Sequence, residues 1–184
     1  MLRICAALAV CFAIVLPLPA VADQSSPKLP ALFKQLQSSD AAPEIARIET
    51  TIWQIWVHHG DTEVDRRMAI GIMDMTQGHL DRSLAAFDTV VELAPDFAEG
   101  WNKRATVHYM LGNYEASVND IRRTLDLEPR HFGALSGLGL IFDAIGNGAA
   151  ALKVWERALT IHPHMSGIRK RMRELKRELT GQPT

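Results

Sequence analysis

The stretch Ala98–His131, AEGWNKRATVHYMLGNYEASVNDIRRTLDLEPRH, reads as two amphipathic helices and two stops. Trp101, Ala105 and Tyr109 fall on one helical face, and Val118, Ile121 and Leu125 on another. Gly112 separates the two runs, as expected of a C-cap that takes positive φ. Pro129 closes the second run, because proline restricts its predecessor and cannot extend the hydrogen-bond ladder. The same landmarks recur 34 residues to either side: Gly78, Gly112 and Gly146, then Pro95, Pro129 and Pro163. Phe87, Ile121 and Trp155 keep that step, as do Leu93, Leu127 and Ile161. The units are placed at Val64–Phe97, Ala98–His131 and Phe132–Met165.

A period of 34 residues with small side chains at fixed steps resembles the tetratricopeptide repeat family. Positions 8, 20 and 27 hold Gly71, Ser83 and Val90 in the first unit. They hold Ala105, Ser117 and Thr124 in the second, and Gly139, Ala151 and Ala158 in the third. Trp101 keeps the family's tryptophan at position 4, and Phe87 and Trp155 keep the aromatic at 24. The resemblance implies an all-α solenoid of three helical hairpins whose first helices line a concave groove for a protein or peptide partner.

The segment before the repeats divides in two. Residues 1–22 carry Arg3, an apolar run Ile4–Leu16, a Pro17/Pro19 break and the small triplet Ala20-Val21-Ala22. This is the pattern of a secretory leader cut between Ala22 and Asp23, which places the rest in the periplasm or outside the cell. An uncleaved anchor is the rival reading. Both cysteines, Cys5 and Cys11, lie in this segment, so the remaining chain is expected to lack thiols, disulfides and Cys-held metal. Residues 23–29 read as a loose linker, and 30–63 as a helical pair. Within the pair, Ile45, Ile48, Ile52 and Trp56 form a stripe. One period back from the small positions stand Glu49 and Trp56, so this pair is a degenerate unit or a cap and not a fourth repeat. Residues 166–184 read as a capping helix and tail, with Ile168, Met172, Leu175 and Leu179 against a basic remainder.

By the resemblance, the groove is lined by Met68, Ile72 and Met75 in the first unit. Asn102, Thr106, Tyr109 and Met110 follow in the second, and Leu140 in the third. Such a lining suits an apolar peptide or an amphipathic helix, and methionine adapts to varied shapes. The family's two-carboxylate clamp for chaperone C-termini needs a basic residue and then Asn where this chain has Met68 and Ile72, followed by Asn and basic residues where it has Asn102 and Thr106; the basic residues are missing, and that ligand is not expected. Asp74 and Arg104 replace apolar seam positions and are expected to form an ion pair, with His108 nearby.

Net charge is −1, which argues against a dedicated nucleic-acid binder. No nucleophile elbow, Walker loop or His-Glu-x-x-His motif is present, so no catalytic residue, cofactor or metal is expected. His58-His59 and His162-x-His164 lack a third ligand at metal spacing and are expected at the surface. The leading expectation is a non-catalytic scaffold of the cell envelope. One alternative is an accessory subunit of a polysaccharide enzyme that touches sugar through Trp53, Trp56 and Trp101. Another is membrane docking through the basic stretch Arg169–Arg177.

Overall fold

A computed structural model describes residues 23–181; the leader expectation lies outside them. Nine α-helices and no strands occur among the described residues. They are α1 Leu29–Ser38, α2 Ala42–Trp56, α3 Thr62–Thr76, α4 Leu80–Leu93 and α5 Ala98–Met110. Then come α6 Tyr114–Leu127, α7 Phe132–Ala144, α8 Gly148–Ile161 and α9 Ser166–Thr180. The pairs α3–α4, α5–α6 and α7–α8 are the three repeat hairpins, stacked as an all-α solenoid.

Each hairpin turns at a glycine in the left-handed region: φ is +78° at Gly78, +76° at Gly112 and +77° at Gly146. A side chain there would meet no atom but would strain the backbone. Close approach of the two helices rests on the eighth position. A Cβ on Gly71 would stand 2.6 Å from the Phe87 ring, and one on Gly139 would collide with Trp155. Two hydroxyls tie the hairpins further. Ser83 Oγ donates to the Gly71 carbonyl at 2.8 Å, and Ser117 Oγ to that of Ala105 at 2.7 Å. Ala151 has no hydroxyl to offer; in that unit the Trp155 indole N–H donates to the Ser136 carbonyl at 3.2 Å. Consecutive hairpins are joined by arginines: Arg123 donates to the carbonyl of Pro95, and Arg157 to that of Pro129, both at 3.1 Å.

The α1–α2 pair does not stack ahead of α3 as a zeroth repeat. Leu29, Phe33, Leu36, Ile48, Ile52 and Trp56 form one core with Phe132, against which Ile161 and Met165 also pack. The pair therefore lies across the junctions of the second and third hairpins. Residues 23–28 are tethered too, contrary to the loose linker expected from their polarity. Asp23 and Ser26 are buried, while Gln24 donates to the Asp96 carbonyl at 2.6 Å and accepts from Ala98 N at 3.2 Å.

At the other end α9 follows the repeat's phase as a lone first helix. Met172 and Leu175 bury against Ala151 and Trp155. Arg173 occupies the step held by Gly71, Ala105 and Gly139 in the hairpins, and it is exposed. No described helix is long and apolar enough to cross a membrane.

Candidate functional site

The face built by the first helices divides into an inner strip, covered by α2, and an outer strip left open. The inner strip begins with Asp65, Glu99 and Gly133, one from each unit. Asp65 accepts from the backbone N–H of His59 at 2.7 Å and of Gly60 at 3.1 Å, fixing the end of α2. At Gly133 a Cβ would stand 2.5 Å from Trp53, so the glycine admits the indole. Lys103 lies over the same indole, 5.4 Å from its centroid.

Glu99 is the polar centre of this strip. It is buried, with its Oε2 2.8 Å from His131 Nε2 and 3.0 Å from Asn102 Nδ2. Lys103 Nζ stands 3.1 Å from its other oxygen. Burial alone would raise this carboxyl, but Lys103 and His131 outweigh it and hold it below its ordinary value. Ala134 N–H donates to His131 Nδ1 at 3.0 Å, so that nitrogen is unprotonated and Nε2–H donates to Glu99. Trp56 stacks on the His131 ring at 4.1 Å and 12°.

The next row of the expected groove is closed as well. Met68 is only 1% exposed, packed among Val64, Phe87, Val90, Phe97 and Val107; it is core rather than lining. Asn102 is buried and committed to Glu99. Ile72 and Met75 are half-buried against the same core. Sequence placed these side chains on the right helical face without showing that α2 and the first hairpin's core would take up their apolar area.

The outer strip holds the other expected residues together. Thr106, Tyr109, Met110 and Leu140 line a pocket of about 340 Å³ between α5 and α7. Gly133, Ser136 and Gly137 give it a low wall, with Ala105, Ser117 and Ile121 at its base. No lining residue is charged. Met110 and Leu140 are exposed, and Tyr109 lies 5.7 Å from Tyr114 at 31°, which steadies its ring. The pocket therefore offers an apolar side chain a place to desolvate, with the Thr106 and Ser136 hydroxyl groups at hand for a peptide backbone.

The expected Asp74–Arg104 pair does not form. Asp74 turns back into its own hairpin, 3.3 Å from both His79 Nδ1 and Arg82. Arg104 instead reaches two second helices, donating to both oxygens of Asp120 at 2.8 and 2.7 Å and to Asp88 at 2.9 Å. His108 does stand nearby, 3.9 Å from Asp120. The guanidinium is raised above its ordinary range, chiefly by Asp120. An arginine at position 7 faces across to the second helices, a direction that sequence spacing along one helix does not reveal.

The tryptophans proposed for sugar contact are engaged. Trp56 is 1% exposed, Trp53 packs edge-on against Trp56 and Phe132, and Trp101 donates to the Pro95 carbonyl with Arg104 over its ring. His162, expected at the surface, is buried beside Phe132 and 3.4 Å from Glu49. Among the described residues no His, Asp and Glu gather as a metal site.

The tetratricopeptide repeat family model matches residues 69–121 and 104–166. A TPR repeat-containing protein of Rhizobium etli is 36% identical over 162 residues, covering 87% of this chain and 79% of its own length. Among solved structures, the TPR domain of Sgt2 from Aspergillus fumigatus superposes with a TM-score of 0.62 at 17% identity, covering 67% of this chain and 87% of that one. A TPR domain of yeast Sti1, solved in complex with an Hsp70 peptide, gives 0.59 at 16% identity, covering 64% and 99%.

Proposed function

This chain belongs to the tetratricopeptide repeat family, a protein-interaction fold, and from that premise we propose that it is a non-catalytic scaffold of the cell envelope. It captures a partner peptide or helix on the outer strip of its groove. The observation that carries this is the uncharged pocket between α5 and α7, the one place where the expected lining residues stay accessible together. With α2 filling the inner strip, the partner meets a narrow shelf and inserts one bulky apolar side chain beside Tyr109 and Leu140. Peptide binding by structural neighbours such as the Sti1 domain supports a peptide-class partner. The missing basic residues of the clamp, with Met68 and Thr106 in this chain, speak against a ligand with two carboxylates. The envelope assignment rests on Arg3, the apolar run Ile4–Leu16 and the small triplet before Asp23.

The test places a photo-crosslinking residue at Leu140 and, separately, at the exposed Met73. A partner crosslinked from Leu140 alone supports the shelf. Tyr109→Ala with Leu140→Glu should remove that product while far-UV circular dichroism stays unchanged. Capture that persists in the double variant refutes the reading.

A second reading has one observation behind it. Arg169, Arg173 and Arg177 are exposed at successive turns of α9, without a carboxylate partner among the described residues. Flotation with anionic vesicles, with and without charge reversal of these three, tests membrane docking. Loss of flotation in the reversed variant would support it.

A further inference from the structure

The three hairpins repeat the same residues in different surroundings, and one row shows what is missing. At the tenth position of the first helices stand Met73, Val107 and Ile141, which are 50%, 0% and 1% exposed. At the third position Arg66 is exposed, while Gly100 lies under Val90 and Ala134 is buried. At the sixth, Ala69 is exposed while Lys103 and Gly137 are half-buried. Near the end of the second helices Leu93 is 52% exposed, whereas Leu127 and Ile161 are half-buried. In α5 and α7 the third and tenth positions are sealed by the hairpin before them. In α3 the row is bare, because the one helix pair that precedes it among the described residues, α1–α2, is committed to the inner strip of the groove.

We propose that this leading face of α3–α4 is a self-association surface, covered by the same face of a second copy across a two-fold axis. At the third and tenth positions of α5 the cover is another repeat hairpin: Gly100 lies under Val90, and Val107 packs with Phe87, Val90 and Phe97. The opposite end of the solenoid cannot supply it. There α9 presents the exposed Arg169, Arg173 and Arg177, and a head-to-tail contact would press these cations onto Met73 and Leu93 and toward Arg66 and Arg67, which already share Glu63. Two leading faces match instead, apolar on apolar around Ala69, Ile70 and Met73. The cations beside the row are already engaged: Arg66 donates to both oxygens of Glu63 at 2.8 and 2.7 Å and Arg67 to one of them at 2.7 Å, and that cluster stays at the rim. An isologous contact of this kind closes on itself as a dimer and leaves no end to polymerise.

Sedimentation equilibrium of the full chain over a wide concentration range tests it. The wild type should follow a monomer–dimer isotherm. Met73→Glu should weaken association by roughly 100-fold, since each dimer loses two buried methionine side chains and gains two opposed carboxylates. Leu93→Glu should act in the same direction, and circular dichroism of both should match the wild type, the parent side chains being half exposed. Ile145→Glu, at an equally exposed site remote from this row, should leave the isotherm unchanged. A wild type that stays monomeric overturns the proposal, as does open-ended growth. Dissociation by Ile145→Glu but not by Met73→Glu would overturn it as well.

Discussion

The hairpin α7–α8 and the pair α1–α2 are both two short amphipathic helices joined by a tight turn, yet they find their cores in opposite ways. In α7–α8, Gly139 lets the helices approach until Trp155 lies against backbone, and the indole N–H is satisfied within the unit. The corresponding steps of α1–α2 hold Gln37, Glu49 and Trp56, and these turn to the later hairpins: Gln37 donates to the Thr160 carbonyl, Glu49 stands 3.4 Å from His162, and Trp56 stacks on His131. The pair's apolar side chains are buried against Phe132, Ile161 and Met165, two hairpins away in sequence. Trp56 is sealed by His131 while its own indole N–H finds no acceptor among the described residues. Small side chains at three steps make a helix pair self-sufficient; bulky ones oblige it to borrow a surface, here the inner strip of the groove.

The largest test of this contrast is Trp56→Ala, which should cost about 3–5 kcal/mol, the range for emptying a buried tryptophan site. The loss should be confined. Hydrogen exchange should speed up in α1 and α2 while α3–α8 keep their protection; uniform loss would show that the pair is not separable from the array. Gly139→Leu should cost roughly 1–3 kcal/mol by overpacking against Trp155, with faster exchange in α7–α9 instead.

Acid probes the junction between the two regions. Burial holds His162 below its ordinary value, with Glu49 pulling the other way. The folded state thus binds fewer protons than the unfolded one, so its contribution is present at neutral pH and lost as pH falls below about 6.5. Glu99 is also held low, so its contribution is present above the ordinary carboxylate value of about 4.3 and lost as pH falls below it through the lowered folded value. Tm should therefore drop in two stages on acidification. His162→Gln should remove the first stage and Glu99→Gln the second; a single stage surviving both changes would contradict the assignment. The smallest effect is expected from Ser83→Ala, about 1 kcal/mol for one buried hydroxyl–carbonyl bond.

The repeats were legible because their signals are local. Gly78, Gly112 and Gly146 end helices wherever the chain needs positive φ, and the small residues at 71, 105 and 139 follow from close packing alone. The fate of the groove was not legible, since it depends on contacts between α2 and residues about 80 positions later. Ile45, Ile48 and Ile52 announced an apolar stripe without saying what it would lie against. Glu99 and His131 were missed for a related reason. Each is an ordinary residue at a unit boundary, and only the stacking of one unit on the next brings them to 2.8 Å. Asp74 and Arg104 were rightly singled out as charges in an apolar seam, but each found its counter-ion on a second helix.

Arg173 carries a consequence for how such an array can lengthen. A repeat protein grows most simply when a duplicated hairpin is appended to its last unit. Here the appended second helix would have to press against a guanidinium where every earlier unit offers a hydrogen or a methyl group. A duplicated hairpin meets no such guanidinium when it enters upstream of α9, so that side is the easier route of growth.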